Sequence, residues 1–470
     1  MTYRRRLHPS RLTTVDVHRV VVVGSGVAGS VVAGTLAQHC NVEIVVVESA
    51  LSARSILDPD SRGVCFVDSL ADSSIADHRL LVRRTAAQEP RVYPRGVTVG
   101  GSGEINALVA SWGMDHDVDD ASWRNDLATL AHDLRTVNEG EWGSVDRALV
   151  ASCVARGIER NDTLWNDMAS PEGVGVATIF ARGNRRSSGV DAYLRPAIAS
   201  GRVRVERSRR VVRLRVVDQM VHGVDFDDDS TLGASAVVLC AGAFGSPEIV
   251  MRSGLAPRRL VGIQDHPALA FVTRTPLDVD SELSIGALAR LSSVRGHGDV
   301  HLVPMNATAP GEHSHAALLV ALMDVQSRGS LALADDSSLV ADLNMLSQRS
   351  ERDALVDALR RVVPIVRGME ERLGVEFALS DSDESVGWLE RAADDEVIDW
   401  MLGSAGVYAH AASSLPMGAG LVDDDGALCT TSGVWVADAS GMARLGSGNP
   451  TLAIAALARR IARRVASAAS

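Results

Sequence analysis

Apolar and polar positions along this chain fall into three patterns. Val20 to Val23 is an unbroken β-branched run, and Val42 to Val47 is a second apolar run, interrupted at Glu43 and ending in Glu48. Runs of this kind suit strands buried on both faces of a parallel sheet. Between them, Val31 to His39 predicts a helix, with Ala33, Gly34 and Ala37 small enough to pack close to a sheet. The second pattern alternates. Val203 and Val205 stand against Arg204 and Glu206, and Val211, Val212, Leu214 and Val216 continue it. Gly201 to Asp218 therefore predicts one strand and the start of the next, read as a hairpin. Leu283 to Leu333 holds further short β-like runs, including HLVP and AALLVALMDV. The third pattern has helical spacing: Leu355, Leu359, Val362, Val363 and Val366 face away from Arg, Asp and Glu within Ser350 to Leu373. This predicts an amphipathic helix packed on a sheet rather than lying on a membrane. Leu51 to Gln88 is polar and irregular, and predicts loop with short helical pieces.

Gly24, Gly26 and Gly29 sit between the first strand and the first helix at the spacing G-x-G-x-x-G. Gly24 allows the tight turn, Gly26 lets a pyrophosphate approach the backbone, and Gly29 lets helix and strand touch. The helix N-terminus offers free N–H groups and a positive dipole end to phosphates. Glu48, at the end of the second strand, stands where a carboxylate accepts hydrogen bonds from an adenosine ribose. The motif alone does not separate FAD from NAD. A second flexible turn lies in PRGVTVGGSGEINALVASWG, Pro94 to Gly113, with Gly100, Gly101 and Gly103, and with Ser102 and Asn106 as short polar side chains. Ile105 to Ser111 predicts a helix starting at that turn, a second place where backbone N–H groups could hold an anionic or electron-rich group.

Composition narrows the classes. With 470 residues the chain is too long for one core. The net charge of -12 and pI near 5.6 argue against nucleic acid as a partner, since phosphate binding needs a basic surface. All 47 basic residues are arginine, a trait of source rather than mechanism. Cys40, Cys65, Cys153, Cys240 and Cys429 are scattered without a C-x-x-C pair, so no disulfide framework or structural zinc is expected, and a reducing cytoplasm fits best. The start, MTYRRRLHPSRL, has no apolar core of a signal peptide. No stretch is long and apolar enough to span a bilayer. Arg4 to Arg6 could touch an anionic surface, the inner membrane face included, although a solvated terminus is the favoured reading. His297, His301, His313 and His315 lie close in sequence, but without a carboxylate or Cys at ligand spacing. They read as loop and strand-surface histidines, and no metal is expected.

These landmarks resemble the glucose-methanol-choline (GMC) family of flavoprotein oxidoreductases. Pro94 to Gly113 is similar to its first signature. Asp191 to Pro196, DAYLRP, is similar to its Ala-Tyr-Leu-x-Pro element, and Val237 to Gly254, VVLCAGAFGSPEIVMRSG, to its second signature. Asp265-His266-Pro267 matches its Asp-His-Pro, and Val434 to Asn449 resembles its last strand and flavin-covering turn. The matches run from residue 20 to 465 in the family's order. The resemblance implies FAD, held by Gly24, Ser25, Gly26, Val27, Ala28, Gly29 and Glu48. It adds Gly100, Gly101, Ser102, Asn106 and Ala107 from the second turn, and Val211 as the backbone contact to adenine. Asp438, Ala439, Pro450 and Thr451 complete the set, with Asp438 as the flavin-contacting acid. The family's usual Pro after that acid is replaced by Met442.

Val407 to Gly418, VYAHAASSLPMG, resembles the family's His-Pro-x-Gly-Thr-x-x-Met-Gly stretch. Ala411, Ser413 and Ser414 replace the usual Pro, Gly and Thr, but His410 holds the place of the catalytic His. Asn449 holds the place of the second polar residue, and Asn449-Pro450-Thr451 opens the last helix, Leu452 to Val465. The chemistry suits these types. Oxidising an alcohol removes a hydroxyl proton as hydride leaves carbon for flavin N5, and a neutral imidazole can accept that proton. An amide can hold the alkoxide oxygen without competing for the proton. A helix N-terminus near flavin N1 favours the anionic reduced ring.

The expected fold is α/β, a doubly wound FAD-binding domain built discontinuously from residues 17–120, 196–265 and 405–470. Residues 121–195 and 266–404 should form an α+β substrate domain with an antiparallel sheet. The resemblance implies hydride transfer from a small-molecule alcohol to FAD, with a quinone, carrier or oxygen as electron acceptor. No His follows the first signature where some members tether the flavin, so FAD should be non-covalent. The short chain and its GGSG turn resemble the GMC dehydrogenase of the mycofactocin system, which implies a reduced redox cofactor as donor. An alcohol oxidase and a non-redox hydroxynitrile-lyase-like enzyme are the alternatives.

Overall fold

The computed structural model describes residues 18–113, 134–163, 170 and 172–469. The terminal Arg4 to Arg6 lie outside the described residues. The two valine runs form β1 (Arg19–Val23) and β2 (Glu43–Val47), joined by α1 (Val27–His39). Three distant strands complete a five-stranded, all-parallel sheet: β3 (Val203–Glu206), β4 (Ala236–Leu239) and β5 (Val434–Val436). The order across the sheet is β3-β2-β1-β4-β5. The order reverses between β1 and β4, and a crevice opens there at the carboxyl ends of the strands. Val21, Val22, Val45, Val46, Val237 and Val238 are fully buried, as both-face burial of a parallel sheet requires. The last helix, α4 (Thr451–Ala469), packs on α1.

A seven-stranded antiparallel sheet stands beside this layer. Its path runs Phe377–Leu379, Pro267–Thr273, Ala317–Leu322, Val300–Met305, Ala287–Leu291 and Gly173–Val176, and Gly406–Val407 pairs with Pro267–Ala268. The amphipathic pattern near residue 350 becomes α3 (Arg349–Leu373), whose Leu355, Leu359, Val362 and Val366 are completely buried. Among the described residues, no helix is long and apolar enough to cross a membrane.

Three expectations are corrected. Gly201 to Asp218 is not a hairpin. Val203–Glu206 pairs with β2 as the edge of the parallel sheet, whereas Val211–Val217 pairs with Met220–Phe226 in a separate three-stranded sheet. Ile105 to Ser111 is not helical. Leu108 adopts φ 66° and Val109 bridges to Ile179, and this extended pairing replaces the helix. Among the four clustered histidines, His301 is no surface group. It is fully buried in Val300–Met305, because its strand lies in the middle of the antiparallel sheet. His313, by contrast, is an exposed partner of Asp278, and His315 donates to the Thr273 carbonyl at 2.6 Å.

Candidate active site

The first glycine turn bends directly from β1 into α1. A Cβ on Gly29 would lie 1.9 Å from the carbonyl oxygen of Gly24, so no larger residue fits. The second turn, Gly100 with a 3-10 segment over Gly101–Glu104, presses against the first. A Cβ on Gly101 would come within 3.0 Å of the Gly26 Cα. Side chains stitch the two turns together. Glu48 Oε2 accepts from Ser25 N at 3.0 Å and Ser25 Oγ at 2.6 Å, while Ser25 Oγ accepts from Gly100 N at 3.3 Å. Glu48 Oε1 accepts from Ala50 N at 2.9 Å and Ser49 Oγ at 3.2 Å. The Arg209 N–H donates to the Glu48 carbonyl, which brings the buried Val211 to the end of β2. Ala28 is buried within α1.

Val27 at the start of α1, Asn106 after the second turn and Thr451 at the start of α4 line one cavity of about 230 Å³. The first turns of two helices thus border one hollow, whose lining does not include Gly26, Glu48, Gly100, Gly101, His410 or Asn449. Ala107 follows Asn106, and Pro450 is buried just before Thr451. Ser102 Oγ accepts from Gly96 N at 3.0 Å, so its hydroxyl holds the turn itself. Asp438 is also occupied by the chain. Its Oδ2 accepts from Gly242 N at 2.7 Å and Ser246 Oγ at 2.5 Å, and its Oδ1 from the Ser440 N–H at 2.9 Å and hydroxyl. Asp438 clips α2 (Gly242–Arg252) to the short turn Ala439–Gly441.

His410 and Asn449, 39 positions apart, come together, with Asn449 Nδ2 3.4 Å from His410 Nε2. The sheet pairing explains the place of His410. Ala412 bridges to Gln264, Val407 pairs with Pro267, and the Tyr408 N–H donates to the His266 carbonyl. Two histidines on neighbouring extended segments therefore face each other, with Nδ1 to Nδ1 at 3.0 Å. The other end of His266 fixes every proton. His266 Nε2 lies 3.0 Å from the Gly446 carbonyl oxygen, which can only accept, so Nε2 carries the hydrogen. His266 Nδ1 is then an acceptor, and His410 Nδ1 must donate to it. His410 Nε2 is left with a lone pair on the Asn449 side. Burial, and then the His266 neighbour, hold His410 well below the usual imidazole range, which keeps it neutral.

A buried carboxylate anchors both histidine backbones. Asp265 Oδ1 accepts from His266 N at 2.7 Å and His410 N at 2.9 Å, and Oδ2 accepts from the Tyr93 hydroxyl at 2.6 Å. Burial pushes Asp265 up to about 6, against the lowering effect of those donors. Tyr408 lies with its ring centroid 4.4 Å from that of His410, and burial pushes its hydroxyl well above the usual range, with Asn449 acting the other way. Sequence reasoning noted His266 and Asp265 only as landmarks and missed Tyr93 and Tyr408. The adjacent Asp-His pair was the available signal for the first two.

The chain from 18 to 268 matches the N-terminal GMC oxidoreductase family description, and 325–458 matches the C-terminal one. The chain belongs to the GMC oxidoreductase family. Such enzymes are FAD-dependent oxidoreductases acting on CH–OH donors, and FAD is the cofactor here. An uncharacterised GMC-type oxidoreductase from the thcA 5′ region of Rhodococcus erythropolis is 24% identical, over 91% of this chain and 94% of that protein. Choline oxidase of Arthrobacter globiformis is 23% identical, over 95% and 94%. Among solved structures, pyridoxine 4-oxidase from Mesorbium loti superposes with a TM-score of 0.80 at 21% identity, covering 95% of this chain and 98% of that one. This GMC chain fits its cofactor on structural grounds too. The two glycine turns meet backbone to backbone at Gly26 and Gly101, with no side chain between them, and Asn449 Oδ1 is a buried acceptor with no partner among the described residues.

If Glu48 holds the ribose, Glu48→Ala should weaken FAD binding by about 10- to 150-fold, the loss of a hydrogen bond to a charged acceptor. Dialysis followed by flavin absorbance measures this. Full flavin retention in the variant would remove Glu48 from the cofactor site.

Proposed function

We propose that this GMC enzyme oxidises an alcohol, with His410 as the base and Asn449 as the oxygen-holding partner. FAD, when bound, accepts the hydride released from the alcohol carbon. The observation that carries the reading is the proton order of Gly446, His266 and His410, which leaves His410 Nε2 as a lone pair beside Asn449. The substrate hydroxyl gives its proton to that nitrogen as the C–H bond breaks, leaving a carbonyl product and a protonated His410. His266 accepts a hydrogen bond from His410 Nδ1 throughout, so the ring does not turn. Asn449 donates from Nδ2 toward the developing alkoxide, and its Oδ1 is free to accept from a neighbouring donor.

For the cofactor, we read Val27 and Thr451 as backbone donors and Asn106 as a side-chain donor, since all three line one cavity. A ribose hydroxyl would replace the long Ser49 bond on Glu48, whose other partners are shorter. Asp438 would act through the turn it clips, with Ala439, rather than through its own saturated carboxylate. We retain the division into 17–120, 196–265 and 405–470 against 121–195 and 266–404 as a proposal, although Leu81–Arg83 and Arg259–Val261 also pair with strands of the 266–404 segment. Gly406–Val407 pairs into the antiparallel sheet and belongs with that layer.

The donor we favour is a reduced mycofactocin-type redox cofactor, with electrons passed to a quinone or carrier and the enzyme in the cytoplasm. The shortness of the chain and its Gly100-Gly101-Ser102-Gly103 turn support this. Anaerobic mixing with candidate alcohols and with the reduced cofactor should bleach the flavin, and acid precipitation should leave the released flavin in the supernatant. Turnover without bleaching would show lyase chemistry. Bleaching by simple alcohols alone, with fast reoxidation by oxygen, would overturn the donor assignment in favour of an oxidase.

A further inference from the structure

The charged groups behind the second glycine turn do not balance. Arg62 pairs with Glu104 at 3.0 Å and Asp191 at 2.6 Å, and Arg195 also contacts Asp191. Arg186 lies beside them, 1% exposed, yet none of the ion pairs among the described residues includes it. Three guanidinium groups therefore face two carboxylates. Burial draws Arg186 down to about 10, which still leaves it charged at neutral pH. Its Coulombic support comes from Glu104, which Arg62 already binds, so a further anion near Arg186 would be favourable.

The hydrogen bonds of Arg186 show where that would be. Its Nη1 donates to the Asn106 carbonyl and to Asn106 Oδ1, both at 2.8 Å. Asn106 Oδ1 also accepts from Leu108 N at 3.2 Å, a bond made by the left-handed turn at Leu108. Two donors on one oxygen settle which way the amide points. The two hydrogens of Asn106 Nδ2 have no partner among the described residues, and Asn106 lines the cavity shared with Val27 and Thr451.

We propose that Arg186 is a positioning residue for the FAD diphosphate: it locks Asn106 with its amide donors facing the diphosphate and supplies the buried positive charge behind them. The proposal rests on reading Asn106 as a cofactor contact. A guanidinium serves here because Nη1, held in the plane of the group, carries two hydrogens and reaches the backbone and side-chain oxygens of one residue together.

The test uses the full-length chain stripped of flavin, with adenosine and ADP as probes. The ratio of their affinities isolates what the diphosphate adds. Asn106→Ala and Arg186→Met should each lower that ratio by about 10- to 100-fold, the range for a hydrogen bond to a charged group. The double variant should lose little more than either single one, because the two act in series. Adenosine affinity should stay unchanged, which a merely structural role for Arg186 would not allow. Arg186→Lys keeps the charge but loses the planar group that aims Nη1 at both Asn106 oxygens, so its ratio should fall less. An unchanged ratio in Arg186→Met beside a lowered one in Asn106→Ala overturns the proposal and leaves the Asn106 reading intact. An unchanged ratio in Asn106→Ala sinks that reading and the proposal with it. Should Arg186→Met not survive stripping, Arg186→Lys decides: a lowered ratio with unchanged adenosine affinity supports the proposal, and an unchanged ratio overturns it.

Discussion

His410→Ala should slow flavin reduction by the best substrate roughly 10²- to 10⁴-fold, the span for a lost general base, while FAD content stays near that of the parent. The loss follows from the proton order around His410. Its Nδ1 is committed to His266, so Nε2 is the ring nitrogen left to take a proton. Asn449→Ala should cost less, since it removes a hydrogen bond and leaves the acceptor. The pH profile adds a sharper expectation. His410 titrates well below the ordinary imidazole range, so it should place no limb near neutrality. Asp265 titrates first on acidification, at about 6. Its folded value lies above the usual carboxylate range, so it is ionised above pH 6 and takes up a proton as pH falls through 6. Protonation weakens its hold on the N–H groups of His266 and His410. Single-turnover flavin reduction should therefore decline as pH drops through 6, and Asp265→Asn should remove that limb. A limb at the same pH in Asp265→Asn would place the titration elsewhere, and unimpaired reduction in His410→Ala would remove His410 from the mechanism.

Arg62→Met should be the most damaging change to the scaffold. It leaves Glu104 and Asp191 buried, 4% and 8% exposed, without the guanidinium that bridges them. Removing one partner from a buried ion pair typically destabilises by about 3–5 kcal/mol. Glu104 belongs to the second glycine turn and Asp191 to the segment carrying Tyr193, so the loss should also loosen the FAD site. Urea unfolding of parent and variant, followed by flavin fluorescence, measures both effects. The triple change Arg62→Met, Glu104→Gln, Asp191→Asn should recover only part of the loss: no buried carboxylate is then unpaired, but Arg186 and Arg195 lose the carboxylates that face them. A single variant as stable as the parent would show that Arg195 and Ser188, which also bind these carboxylates, suffice without Arg62.

Local chemistry made much of this architecture readable. The valine runs of β1 and β2 and the glycines between them carry their own instructions, and α1 begins one residue after Gly26. The pairing of β3 was hidden, because its partner is β2, with Val203 set against Ile44. Alternation says that a strand exists and not which sheet takes it. The burial of His301 was hidden for a similar reason: its strand is paired on both sides, with Ala287–Leu291 and Ala317–Leu322. At the site, His410 and Asn449 could be named by position, but the tautomer of His410 depends on the Gly446 carbonyl through His266. No spacing along the chain encodes that relay.

The parallel sheet closes with a strand that comes almost last. β1 starts at Arg19, but its neighbour's outer partner is β5 at Val434–Val436, and α4 covers α1 only from Thr451 onward. A chain still emerging from the ribosome therefore displays the whole nucleotide motif long before it owns a nucleotide site. Cofactor capture in this fold belongs to the finished chain. A truncation that spares Gly24 to Glu48 and removes everything from Val434 onward would delete one wall of a pocket whose signature lies intact at the other end.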